Sequence, residues 1–339
     1  MVKRSTIGDI ARAAGVGHGT VSRVLNDHPY VSEETREKVL ATIRDLGYRP
    51  SLTARQMRTQ QSQVLGFLTD VVATTPYAGD IIRGAQDAVW EHDYSLLVMG
   101  VGHHTERLER AVDLLLQHEV DGIIYAAEYH QPVHLPKSIH DVPTVLVNCF
   151  DPDQQLPSIV PDEITGGYEA TQVLIQAGHR EIGFINVNNP YIPEGQFVPA
   201  CVGRLEGFQK ALQEADLIYN VDWVFIGDGT PNAGYQATQK LLQKSRRPTA
   251  LFCGNDRTAM GAYDALREAG LKIPTDMAIV GFDNQEIIAS ALRPPLTSLQ
   301  LPHYDMGRWG VNFLLNAQPP TDKPVQALHH CQLVLRQSV

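Results

Sequence analysis

Cysteine is scarce in this 339-residue chain: Cys149, Cys201, Cys253 and Cys331 are widely spaced, and no Cys-x-x-Cys pair occurs. That excludes a disulfide scaffold or thiolate metal site and favours free buried thiols in a reducing compartment. No apolar run approaches transmembrane length, and the N-terminus lacks the apolar core of a signal peptide, so a cytoplasmic protein is expected. Catalytic signatures are also missing. There is no Gly-x-Ser-x-Gly elbow and no Walker loop. Gly100-x-Gly102 follows an apolar run, but His103-His104-Thr105 breaks the dinucleotide fingerprint. His103-His104 and His329-His330 lack an accompanying Cys or acid cluster and read as solvated surface. No enzyme activity, cofactor or metal is expected.

Hydrophobic residues make up 43% of the chain and charged residues 19%, the profile of an ordinary globular protein of two or three domains. The net charge of −10 conceals an asymmetry. Residues 1–60 hold ten Lys and Arg against six acids, or +4, which leaves −14 for the remainder. A basic head on an acidic body suggests that only the head meets a polyanion.

In the head, Thr6 can cap a helix from Ile7 to about Ala13, with Asp9 favourably placed in its first turn. Gly15 suits the tight turn that follows, and a second helix runs from about His18 to Leu25. Ser32 caps a third helix, which buries Val39, Ile43 and Leu46 and stops at Gly47. Two short helices joined through Gly15 and braced by a third form a helix-turn-helix pattern. In such a motif the second helix enters the major groove, so His18, Thr20, Ser22 and Arg23 are candidate base contacts. Lys3, Arg4, Thr6 and Arg36 are candidate phosphate contacts. A plain three-helix bundle would leave the polar face of the second helix unexplained.

From residue 62 onward, short apolar runs alternate with amphipathic stretches: 64–68, 95–99, 122–125 and 144–147, then 182–185, 223–226, 250–253 and 277–282. Buried parallel strands with crossover helices read this way. Two doubly wound parallel sheets, with a ligand cleft at the carboxyl ends of their strands, are expected.

The head segments Thr6-Ile7-Gly8-Asp9-Ile10-Ala11, Gly15-Val16, Thr20-Val21-Ser22-Arg23-Val24-Leu25-Asn26 and Leu46-Gly47-Tyr48-Arg49-Pro50 resemble those of the lac repressor (LacI/GalR) family. The body landmarks Val120-Asp121-Gly122, Arg204-Leu205-Glu206-Gly207-Phe208, Gly254-Asn255-Asp256 and Gly281-Phe282-Asp283-Asn284 resemble its type I periplasmic-binding-protein-like domain. The resemblance implies a helix-turn-helix head at 1–50, a hinge helix and linker at 51–61, and an effector-binding, dimerising body at 62–339. Its first lobe would hold about 62–160 and 292–318, and its second about 161–288 and 322–339. The three interlobe crossings would then fall near 158–163, 284–296 and 317–324. With no heptad tail after the last strand, a homodimer is expected.

The implied function is that of a transcriptional repressor whose affinity for double-stranded operator DNA is set by a small molecule, a sugar or glycoside in the first instance. By the same resemblance Tyr77, Phe150, Asp162, Arg204 and Asp256 match effector-contact positions, with Glu163 in place of the usual Asn. An internal Arg204–Asp256 ion pair is the alternative for those two residues, and ordinary core the alternative for Tyr77 and Phe150. Ser51–Arg58 matches the hinge helix that enters the minor groove, with Ala54 and Arg55 at the DNA and Met57 in the position of a wedging Leu. Gly17 and Gly19 depart from the pattern by removing side chains from the recognition helix. Gly229 stands where relatives place a stacking ring, and Tyr191 or Phe197 is a candidate replacement. Two other readings stay open: a solute-binding or enzyme-like α/β protein with an incidental basic head, and a DNA-binding regulator that senses a protein partner or a nucleobase or nucleoside.

Overall fold

The structure is a computed structural model that describes residues 5–25, 28–48, 61–75, 78–102, 104–190, 192–193, 195–316 and 323–339. It divides into two compact units, Met1–Ser62 and Gln63–Val339. No described helix is long and apolar enough to cross a membrane. The hinge candidates Ala54, Arg55 and Met57, and the cleft candidates Tyr77 and Tyr191, lie outside the described residues.

The first unit contains helices α1 (Ile7–Ala14), α2 (His18–Leu25) and α3 (Glu33–Asp45). A reciprocal capping box starts α1: Asp9 N–H donates to Thr6 Oγ1 at 3.2 Å, and Thr6 N–H donates to Asp9 Oδ2 at 3.0 Å. Gly15 turns the chain with φ 64°. Ile10, Ala11, Ala14, Val21, Val24 and Val39 form the core. Leu46, expected in that core, is instead exposed, because α3 ends at Asp45 and Leu46 belongs to its terminal turn.

The second unit carries two six-stranded sheets. In chain order its elements begin β1 (Val64–Thr69), α4 (Gly79–Glu91), β2 (Ser95–Gly100), α5 (Thr105–Gln117), β3 (Gly122–Pro132), β4 (Thr144–Phe150) and β5 (Ser158–Pro161). Next come α6 (Glu163–Gln176), β6 (Ile182–Val187), α7 (Pro199–Glu214), β7 (Val224–Gly227), α8 (Pro231–Leu242), β8 (Ala250–Cys253) and α9 (Asp256–Glu268). The chain continues through β9 (Ala278–Asp283), α10 (Glu286–Ala289), β10 (Thr297–Gln300), α11 (His303–Leu315), β11 (Gln326–His329) and β12 (Gln332–Val334). One sheet has the order β11-β5-β4-β3-β1-β2 and is wholly parallel. The other has the order β12-β10-β9-β8-β6-β7, with only β12 antiparallel.

This topology moves two of the expected crossings. β10 pairs with β9, so the chain stays in the second lobe through Gln300 and crosses at 301–302 rather than 284–296. β11 pairs with β5, which delays the last crossing to 330–331 rather than 317–324. The first crossing is at Asp162, whose N–H donates to the His329 carbonyl at 2.8 Å, tying the first and third together.

Three helix pairs meet at reciprocal glycines. A methyl on Gly167 of α6 would overlap the Arg204 backbone, and one on Gly207 of α7 would overlap the Ile164 carbonyl. Gly84 and Gly307 do the same for α4 and α11, as Gly234 and Gly261 do for α8 and α9. We predict that Gly207→Ala separates α6 from α7. The overpacking cost of about 1–3 kcal/mol should exceed the helix-propensity gain of about 1 kcal/mol. The body's thermal midpoint is therefore expected to fall, and an unchanged or raised midpoint would contradict the close crossing.

Candidate functional site

Two surfaces carry the chemistry, one on each unit. On α2, His18 and Arg23 are exposed, while Thr20 and Ser22 are half-buried. Gly8 leaves room for the His18 ring, and side chains at Gly17 or Gly19 would meet nothing within 4 Å. The glycines thus leave His18 and Arg23 as the long polar groups on the open face. Arg36 differs from expectation. Its Nη2 donates to the His28 carbonyl at 2.8 Å and its side chain is only 16% exposed, so it braces the loop before α3. Thr6 is committed to the α1 cap.

In the second unit, a cavity of about 70 Å³ lies where the two lobes meet. Glu128, Tyr129, His130, Asn148 and His303 line it from the first lobe, and Glu163, Arg204, Asn255, Arg257 and Asp283 from the second. The extended end of β3 supplies the first three. The β3–β4 register shifts between Ala126 and Gln131, and buried Asp70 accepts the Glu128 N–H while Asn148 Nδ2 donates to the Ala127 and Glu128 carbonyls. This extension reaches the other lobe. Asn189 Nδ2 donates to Gln131 Oε1 at 3.0 Å, and His130 Nδ1 lies 3.5 Å from Glu163 Oε1.

Arg204, one of the expected residues, lines the cavity from the second turn of α7. It is 6% exposed, and its guanidinium carbon lies 3.8 Å from the centre of the Phe282 ring. Nε donates to Glu163 Oε2 at 2.7 Å and Nη1 to the Gly254 carbonyl. Burial pushes the Glu163 carboxyl upward, but Arg204 and His130 outweigh it and hold the group at about 2. Arg204 does form an ion pair, with Glu163 rather than Asp256.

Asp256 is not in the cavity wall. It is fully buried, where Oδ1 accepts from Ser298 Oγ and Oδ2 from Gln285 N–H, each at 2.6 Å. Ser298 Oγ also accepts the Asn284 N–H at 3.1 Å. These bonds pin a turn in which Asp283 and Asn284 both adopt positive φ, 97° and 51°. Asp256 therefore positions Asp283, which does face the cavity. Burial raises the Asp283 carboxyl to about 6, against the opposing pull of Arg204 and Arg257. Burial likewise drives Asp256 well above the usual carboxylate range.

Asp162 caps α6 by accepting from Thr165 N–H at 3.0 Å and lines an apolar groove beside the cavity. Phe197 is 50% exposed and lines the same groove, so it does not replace the missing ring. Phe150 stands edge-on to His130, centroids 5.9 Å apart, and supports the wall from behind. Gly229 has φ 77°, and a Cβ there would crowd Val187 and Asn255, so this backbone has no room for a ring.

Asp283 and Asn255 lie within sequence landmarks and Arg257 directly follows one, yet sequence reasoning missed all three as lining residues. Their signal was position: each lies at or just beyond the carboxyl end of β8 or β9, where ligands of open α/β sheets bind. Among the described residues no group of His, Cys, Asp and Glu is arranged to hold a metal.

Residues 62–324 match the family model described as periplasmic binding proteins and sugar binding domain of the LacI family, and residues 6–51 match that of bacterial regulatory proteins, lacI family. The chain is 34% identical over 340 residues to the HTH-type transcriptional repressor PurR of Histophilus somni, covering 99% of each. The lac repressor dimer bound to operator and the anti-inducer ONPF superposes with a TM-score of 0.80 at 28% identity, covering 99% of both chains. The complex of the transcriptional regulator CelR with cellobiose gives 0.68 at 30% identity, covering 99% of this chain and 100% of that one. A DNA-reading head, a two-lobed body and family matches spanning both units lead to one conclusion: the chain belongs to the LacI family of bacterial regulators and is a transcriptional repressor, not an enzyme.

Proposed function

We propose that this repressor binds a palindromic operator as a homodimer, and that a compact, hydroxyl-rich effector, sugar-like in chemistry, sets its affinity from the interlobe cavity. The observation that carries this reading is the composition of the cavity wall. Carboxylates (Glu128, Asp283) and a guanidinium (Arg257) converge from both lobes, and Tyr129 is the only Phe, Trp or Tyr in the described lining. Such groups suit the fixed donor and acceptor pattern of a polyol better than the flat faces of a nucleobase. CelR, with its cellobiose, is a relative of this kind.

A ligand held by both lobes stabilises the arrangement in which they meet, and any shift in operator affinity follows from its differential binding to the two states. Calorimetry with neutral monosaccharides and disaccharides, and with nucleobases and nucleosides for comparison, tests the class. Binding by nucleobases alone would overturn the sugar-like reading.

The titration of Asp283 gives this site a pH signature. Its ionised carboxylate accepts hydroxyl protons, and the group is raised to about 6, so effector affinity should be flat above about pH 7. Below pH 6 it should fall by up to about tenfold per unit, as the carboxyl takes up its proton before ligand arrives. Titration calorimetry from pH 5 to 8 checks this, and affinity that rises on acidification contradicts it. Asp256→Ala leaves the Gln285 N–H without its buried acceptor, and a loss of about 1–3 kcal/mol in body stability is expected. Effector affinity should fall with it as the Asp283 turn relaxes; wild-type affinity in this variant would remove the positioning role.

On the head, Arg23→Ala and His18→Ala are expected to relax base preference, each by about 1–3 kcal/mol at its own position, measured by selection from a random operator library. Arg36→Ala should lower the head's stability without changing which bases are preferred. A selective change at one base pair from Arg36→Ala would restore its assignment to DNA.

A further inference from the structure

Glu163 stands at the cavity wall beside the most buried cation of the described lining. Glu163 is the first residue of α6 and is 4% exposed, with its carboxylate at the cavity wall. One oxygen takes Arg204 Nε at 2.7 Å, and the other faces His130 Nδ1 across the cleft at 3.5 Å. Nη1 of the same guanidinium is spent on the Gly254 carbonyl, and the Phe282 ring covers one face. The most buried cation of the cavity is thus neutralised from within the protein. The lining as a whole sets three carboxylates, Glu128, Glu163 and Asp283, against two guanidiniums, Arg204 and Arg257.

We propose that Glu163 is a specificity-determining residue that commits Arg204 internally, so that the cavity takes uncharged or amine-bearing polyols and rejects sugar acids and sugar phosphates. This rests on the sugar-like reading above. With the Glu163–Arg204 pair neutral overall, a ligand carboxylate or phosphate would lie near the Glu128 and Asp283 carboxylates, against the Arg257 guanidinium. At contact distances in a partly buried site, that repulsion corresponds to about a hundredfold in affinity. A primary amine on the ring would instead gain from the same acids.

The test uses matched probes on one ring: D-glucose, D-glucosamine, D-glucuronate and D-glucose 6-phosphate, with the corresponding galactose set, titrated into the full-length protein by calorimetry at constant ionic strength. Whichever ring binds, its neutral or amino form is expected to bind about a hundredfold more tightly than its acid or phosphate. Glu163→Gln keeps an oxygen acceptor for Arg204 Nε but removes the charge, and it should narrow that ratio to about tenfold or less. A wild-type protein that prefers the acid or phosphate overturns the proposal. So does an unchanged ratio in Glu163→Gln whose circular dichroism and unfolding midpoint show a folded body.

If no ring binds in any charge state, the sugar-like reading fails, and the charge rule is then read from inorganic phosphate. Saturable phosphate binding that appears in Glu163→Gln but not in wild type, and is lost again with Arg204→Leu, upholds the role of Glu163. Phosphate binding by wild type, or by neither protein, rejects it.

Discussion

The buried pair between Glu163 and Arg204 is the interaction on which the body's working parts depend. Two ions withdrawn from water cost several kcal/mol each, and such a pair persists only where geometry and additional hydrogen bonds repay that cost. Here the 2.7 Å contact, the Gly254 carbonyl and the Phe282 ring supply those terms. The geometry exists because α6 and α7 cross at Gly167 and Gly207, where neither backbone leaves room for a Cβ. Sequence thus reaches chemistry through packing: two missing methyl groups let two helices touch, and the contact brings a carboxylate and a guanidinium into register. His130 extends the pair to the opposite lobe.

The same arrangement stands where the two lobes meet. The lobes are joined at 162, at 301–302 and at 330–331, and the first and third of these are bonded to each other. Apart from the crossings, the lobes touch through the β3 extension, which brings His130 to Glu163 and Gln131 to Asn189. These polar contacts flank the cavity. A ligand that engages both walls therefore acts where the lobes touch. In a repressor of this family, lobe geometry is the quantity that an effector can bias.

Much of this was legible in the sequence. The head's helices were readable from Thr6, Gly15 and Ser32, because capping and left-handed turns are local demands on single residues. The strand–helix alternation was readable because buried parallel strands are continuous apolar runs. The crossings were misplaced because β10 and β11 are four-residue strands, and Gln326–His329 has no apolar run at all; partner strands, not periodicity, determine them. Arg204 stands at the cavity as its sequence position suggests, whereas Asp256 is interior and Asp283, near it in the fold, lines the wall. Adjacent acids at a strand end cannot be assigned to wall or interior until the turn is seen, and here the turn is set by positive φ at Asp283 and Asn284. Gly229 similarly reads as a lost ring in sequence and as an occupied backbone turn in structure.

The proposed function links cavity and operator through one equilibrium. Thermodynamic reciprocity tests it most directly. The dissociation constant of the protein for its operator duplex is measured with and without saturating effector, and that for effector with and without saturating operator, in one buffer. The two ratios are expected to be equal and to differ from one by about fivefold or more, and the same effector concentration should leave operator affinity unchanged in an Asp283→Asn protein that no longer binds effector. An effector that binds the cavity tightly yet leaves operator affinity unchanged would break the proposed link between the two sites.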